Sequence, residues 1–143
     1  MGSAPTITPT TLDTTRSRSL GREAAIGAIA AAAANAAIWA AGRDADVSFL
    51  VSPLIGPTIQ VSILLVVLTT LIAFAVGMGL FALASRRSDH WARAVLAAGV
   101  LFAVVSTVGP LSTAEDTSTG VLLASMHLLT GAAFAITASR SWR

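Results

Sequence analysis

The sequence predicts an all-α polytopic membrane protein, an antiparallel four-helix transmembrane bundle with a disordered N-terminal tail. Three observations carry this. Of 143 residues, 55% are hydrophobic and only 11% are charged, against about 25% charged in an ordinary soluble domain. The apolar residues gather in long uncharged runs, as membrane spans do. Eight of the nine arginines fall on one side of a four-span arrangement. The composition excludes a soluble enzyme. The lack of cysteine excludes disulfides and thiol chemistry. A net charge of only +2 gives no reason to expect a nucleic-acid partner.

Residues 1–20, MGSAPTITPTTLDTTRSRSL, are rich in Thr, Ser and Pro and show no apolar periodicity. Such a stretch buries too little to offset its ordering entropy, which predicts a disordered cytoplasmic tail. The transmembrane domain is then 21–143. Between Glu23 and Arg43 lie 19 uncharged residues, and between Asp46 and Arg86 lie 39. Arg93 to Glu115 leaves 21, and Asp116 to Arg140 leaves 23. One span needs about 20 residues, so three of these gaps hold one span each. The 39-residue gap is broken by Pro53, Gly56 and Pro57, and proline ends helices. The predicted spans are about 24–42, 58–85, 92–110 and 118–139, with an apolar loop over 47–57.

The first span is mostly alanine, which forms helix well and permits close helix contact. Its basic start, Arg16, Arg18 and Arg22, also suits a cleaved signal. The length and the lack of a Leu or Phe centre favour a retained helix. Arg86, Arg87 and Ser88 open a short turn that makes spans two and three antiparallel neighbours. Ser88 or Asp89 can cap span three, and His90 reads as a solvated loop residue. Trp39, Trp91 and Trp142 fall near span ends, as interfacial rings do.

Arg16, Arg18, Arg22, Arg86, Arg87, Arg93, Arg140 and Arg143 share one side. Arg43 stands alone on the other, with Asp44, Asp46, Glu115 and Asp116. Positive charge is retained in the cytoplasm, so both termini are expected inside a plasma membrane. The Arg86–Arg87 pair reads as a topology signal that also contacts anionic lipid.

Polar residues within spans are costly and often functional. Here they are Asn35; Gln60, Ser62, Thr69 and Thr70; Ser106 and Thr107; and Ser125, His127 and Thr130. At 1.5 Å per residue, Asn35 is about 10 Å and His127 about 13 Å from the outer ends of their spans. Gly120, Ala124, His127 and Gly131 share one helical face, whose small residues suggest that His127 points into the bundle. Ser62, Val66, Thr69 and Ala73 define the expected inner face of span two. An outward-opening pocket is therefore expected under the 47–57 loop, with His127, Asn35, Ser106, Thr107, Ser62 and Gln60 as ligand-binding candidates. The competing reading is that these groups only join helices.

Catalytic patterns are missing. A deep His without a carboxylate is poor acid–base equipment, and two histidines on opposite sides cannot share a metal. No catalytic residue, metal or cofactor is expected. The Ala-rich first helix, the Ile55-Gly56-Pro57-Thr58 loop end, Val108-Gly109-Pro110-Leu111-Ser112 and Ser125-Met126-His127-Leu128 together resemble a family of small four-span actinobacterial membrane proteins known only as an uncharacterised domain. The resemblance covers about 22–139 and implies four helices and a plasma-membrane location, with no activity attached. The functional expectation is a non-enzymatic membrane protein that binds a lipid, a small hydrophobic ligand or a membrane partner. The alternatives are a subunit of a small oligomeric transporter or channel, with contacts from Gly77, Gly79 and the first span, and, last, a membrane enzyme using His127.

Overall fold

The structure is a computed structural model that describes residues 11–141, with side chains from Leu20 onward. Its elements in order are α1 (Thr11–Asp44), β1 (Leu50–Val51), β2 (Ile59–Gln60), α2 (Ile63–Ser85), α3 (Asp89–Val105), α4 (Val108–Thr113) and α5 (Thr117–Arg140). Four stretches are long and apolar enough to cross a membrane: Leu20–Asp44, Ile63–Ser85, Asp89–Thr113 and Thr117–Arg140. The four-span, all-α expectation holds. α1 and α3 each pack against both α2 and α5, so α1 and α3 occupy opposite corners of the bundle.

Two apolar cores stack along the bundle. One joins Ala31, Phe74, Met78, Phe81, Ala92, Phe134 and Ala138, with Leu20 and Ala24 beside it. This core brings Leu20 and Ala24 of α1, the neighbourhood of the α2–α3 turn and the end of α5 to one end, where most of the arginines collect. The other core joins Phe49, Val61, Val66, Leu123 and Met126 at the opposite end. The bilayer offers helices little hydrophobic drive to associate, so close packing must hold them. Glycines supply it: a methyl group on Gly131 would meet Ala103, and one on Gly99 would meet the Phe134 ring.

Helix starts follow local chemistry. The Ser62 hydroxyl accepts from the Leu65 amide at 3.2 Å, the Ser88 hydroxyl from the Trp91 amide at 3.3 Å, and the Asp116 carboxylate from the Thr119 amide at 2.7 Å. Each satisfies an amide that the first turn leaves unpaired.

Three boundaries differ from expectation. Residues 1–10 lie outside the described residues, but 11–20, read from sequence as tail, belong to α1. Polar residues cost a helix only about 0.7 kcal/mol or less each, and extending an existing helix needs no new nucleus. The second span begins at Ile63 and not near 58, because Ile59–Gln60 pairs antiparallel with Leu50–Val51 and the Val61 amide donates to the Phe49 carbonyl at 2.8 Å. The third span runs on to Thr113, past Pro110, with a break at Ser106–Thr107. Pro110 lacks the N–H that would reach the Ser106 carbonyl, and the Ser106 and Thr107 hydroxyls donate to Ala103 and Val104 carbonyls at 2.9 and 2.7 Å.

The 47–57 loop is half plug and half protrusion. Phe49 is fully buried with φ 53°, a left-handed conformation that costs a bulky residue about 1–2 kcal/mol. Its surroundings over-determine it: the Phe49 amide donates to the Thr119 hydroxyl at 3.0 Å, and its ring stacks on Trp39 at 5.9 Å. Gly42 leaves room for that ring, since a methyl there would meet Phe49 and Leu122. At the hairpin tip, Leu54 and Ile55 are 99% and 93% exposed.

Candidate functional site

Asn35 is almost fully buried within the first span, at 1% exposure. Its Nδ2 donates to the Thr70 hydroxyl and to the Thr130 hydroxyl, both at 2.9 Å. Those hydroxyls donate in turn to the Val66 carbonyl at 2.7 Å and the Met126 carbonyl at 2.8 Å. One amide thus ties α1 to α2 and α5. The Asn35 Oδ1 is buried without a hydrogen-bond partner, an uncommon state for a buried acceptor.

His127 is not part of that knot. Its side chain is exposed on the bundle's lateral surface, ten residues into α5 and so about 15 Å from its start. Its Nδ1 lies 2.8 Å from the Leu123 carbonyl oxygen. A carbonyl only accepts, so Nδ1 carries the proton and, in the neutral ring, Nε2 keeps a free lone pair. Gly120 faces Pro110 and Leu111, while Gly131 faces Ala103. His127 lies between those levels along α5.

The six candidates do not converge on one pocket. Ser62 caps α2, and Gln60 donates to the Ser48 carbonyl at 3.2 Å in the hairpin. Ser106 and Thr107 bond carbonyls of their own helix. Beneath the loop lies the Phe49 plug. The inner face of α2 is Val66, Thr70, Phe74, Met78 and Phe81, not the face with Ser62, Thr69 and Ala73, all of which are exposed. Faces on α2 are hard to read because the helix is apolar all round. The spacing of Phe74, Met78 and Phe81 by four and three was the usable signal for Thr70.

A polar clasp seals the end opposite the arginines. The Ser48 and Thr119 hydroxyls both donate to Asp116 at 2.7 Å. The Ser52 hydroxyl donates to Glu115 at 2.8 Å, the Ser52 amide donates to the Thr113 carbonyl at 2.7 Å, and the Glu115 amide donates to the Leu50 carbonyl at 3.1 Å. The Trp39 indole donates to the Val61 carbonyl at 2.8 Å. The Ser48 hydroxyl, the Thr119 amide and the Thr119 hydroxyl hold the Asp116 carboxyl below the usual aspartate range. Ser48 and Thr119 drew no notice in the sequence because their partners are about 70 residues apart along the chain. Among the described residues no three His, Asp or Glu side chains gather as a metal site would require.

A four-helix bundle with apolar outer surfaces, a hairpin clasp at one end and arginines at the other defines a multi-pass membrane protein. Residues 15–143 match DUF6069, a family of unknown function, and the chain belongs to that family. No curated protein and no solved structure matches it.

Proposed function

We propose that the chain is a non-enzymatic protein of the plasma membrane, with both termini cytoplasmic, that binds a lipid or small hydrophobic ligand laterally at His127. The single observation behind this reading is the exposed imidazole in the middle of α5, its Nδ1 held by the Leu123 carbonyl. An acceptor facing hydrocarbon is unsatisfied unless something brings a donor to it. The Ser125, Ser106 and Thr107 hydroxyls already donate to main-chain carbonyls. The bound molecule should therefore carry its own hydroxyl or N–H donor. Of the six sequence candidates, His127 keeps the binding role, with Ser106 and Thr107 at its level as acceptors. Asn35, Ser62 and Gln60 are assigned to structure. The arginine distribution supports the orientation.

The test is mass spectrometry of small molecules that co-purify from the native membrane with the wild type and with His127→Phe. A species lost from the variant, with the thermal unfolding midpoint unchanged, supports the reading. An identical set in both proteins overturns it, and so does loss of a protein partner alone. A second reading, a subunit of an oligomeric transporter, rests on Gly79, whose outward side meets nothing within the chain. It expects Gly79→Leu to break a detergent-stable oligomer seen by light scattering.

A further inference from the structure

At the arginine end, a cavity of about 240 Å³ opens between α2 and α3, lined by Leu83, Ala84, Arg87 and Trp91. The role proposed for His127 does not involve it. Three of its four walls are apolar and one is a guanidinium. Arg87 and its neighbour Arg86 are exposed, and among the described residues neither is held by a carboxylate. Leu83 and Trp91 are exposed towards the flank of the bundle, so the cavity can be entered from the side. His90 meets Trp91 edge-on, with ring centroids 6.3 Å apart. All of this lies where two spans end, at the level that phospholipid headgroups occupy.

We infer that this cavity is a binding site for one anionic phospholipid of the adjoining leaflet, its phosphate on Arg87 and its upper acyl chain along Leu83 and Trp91. Guanidinium pairs with phosphate oxygens in a two-pronged geometry that an ammonium cannot copy. An indole ring suits the headgroup boundary, with an apolar body and one polar edge. The apolar walls choose a lipid over free phosphate, because inorganic phosphate would leave Leu83, Ala84 and Trp91 unused. The positive start of α3 at Asp89 adds attraction for an anion, reduced by the Asp89 carboxylate in the same turn. A zwitterionic lipid carries its own cation and gains less from Arg87.

Native mass spectrometry of the full chain tests this, with phosphatidylglycerol and phosphatidylcholine of equal chain length as probes. The wild type should retain one phosphatidylglycerol about tenfold more than phosphatidylcholine, the ratio a single charge-assisted contact supports. Arg87→Gln should remove that preference. Arg140→Gln, at the same end but away from the cavity, should change it about twofold or less, as diffuse surface charge would. Excess inorganic phosphate should not displace the lipid. Circular dichroism confirms that both variants remain helical, and Arg87→Lys serves as a second folded variant expected to bind weakly. Equal losses from Arg87→Gln and Arg140→Gln, no lipid preference, or displacement by phosphate would each overturn the assignment.

Discussion

Asn35 shows how one polar residue can join three helices without a net gain in stability. Its two hydrogen bonds to Thr70 and Thr130 are worth about 0.6 kcal/mol each by the average for such bonds in bilayers. Its orphaned Oδ1 costs about 1–3 kcal/mol. Asn35→Leu should therefore leave the unfolding free energy within about 1 kcal/mol of wild type or raise it. Asn35→Asp buries a lone charge and should lose about 3–5 kcal/mol. Unfolding of both variants in detergent checks the pair. Asp116 sets a pH response. Its carboxyl is held below its ordinary value in the fold, first by the Ser48 hydroxyl. A lowered pKa gives stability that is complete above the unfolded value and fades as pH falls through the folded one. The clasp should open only at a pH below the ordinary aspartate value, read as a change in Trp39 emission in a background carrying Trp91→Phe and Trp142→Phe. Asp116→Asn should abolish that acid step.

Among the elements, the helices were legible in the sequence and their faces were not. Charge spacing located four spans to within a few residues, because charged groups are excluded from the hydrocarbon and so mark its edges. It could not show which side of α2 faces inward. Leu, Ile and Val cover that helix, and lipid accepts them as readily as the protein interior does. The small residues of α5 were better guides. Gly120, Ala124 and Gly131 are all buried, as their spacing predicted, and only His127 leaves that face. Close packing at this contact can be tested directly. Gly131→Leu would drive a side chain into Ala103 and should destabilise the bundle by about 1–3 kcal/mol. Gly109→Leu adds the same atoms where nothing lies within 4 Å and should be close to neutral. The hairpin was legible only in part, 47–57 as an apolar loop and 58–61 mistaken for the start of the second span. Its fold depends on long-range bonds from Phe49 to Thr119 and from Ser52 to Thr113, which no local pattern encodes.

At the scale of the whole molecule, scarce charge decides the architecture and limits the chemistry. The arginine-bearing end and the clasped end are opposite ends of one bundle, and DUF6069 membership over 15–143 covers both. The proposed orientation predicts that Leu54→Cys, at the exposed hairpin tip, reacts with an impermeant maleimide on intact cells. His90→Cys should react only after permeabilisation. The native absence of cysteine makes each label unambiguous, and the reverse pattern would invert the topology. The separation of Asn35 from His127 also divides their settings, one sealed among three helices and one exposed on the flank of the bundle. The measurement that tests this most directly is the accessibility of a spin label at His127→Cys in bilayers. Lateral exposure predicts strong relaxation by oxygen, which dissolves in hydrocarbon, and weak relaxation by a water-soluble nickel chelate. Strong relaxation by the nickel chelate would place His127 in a water-filled pocket and contradict the account.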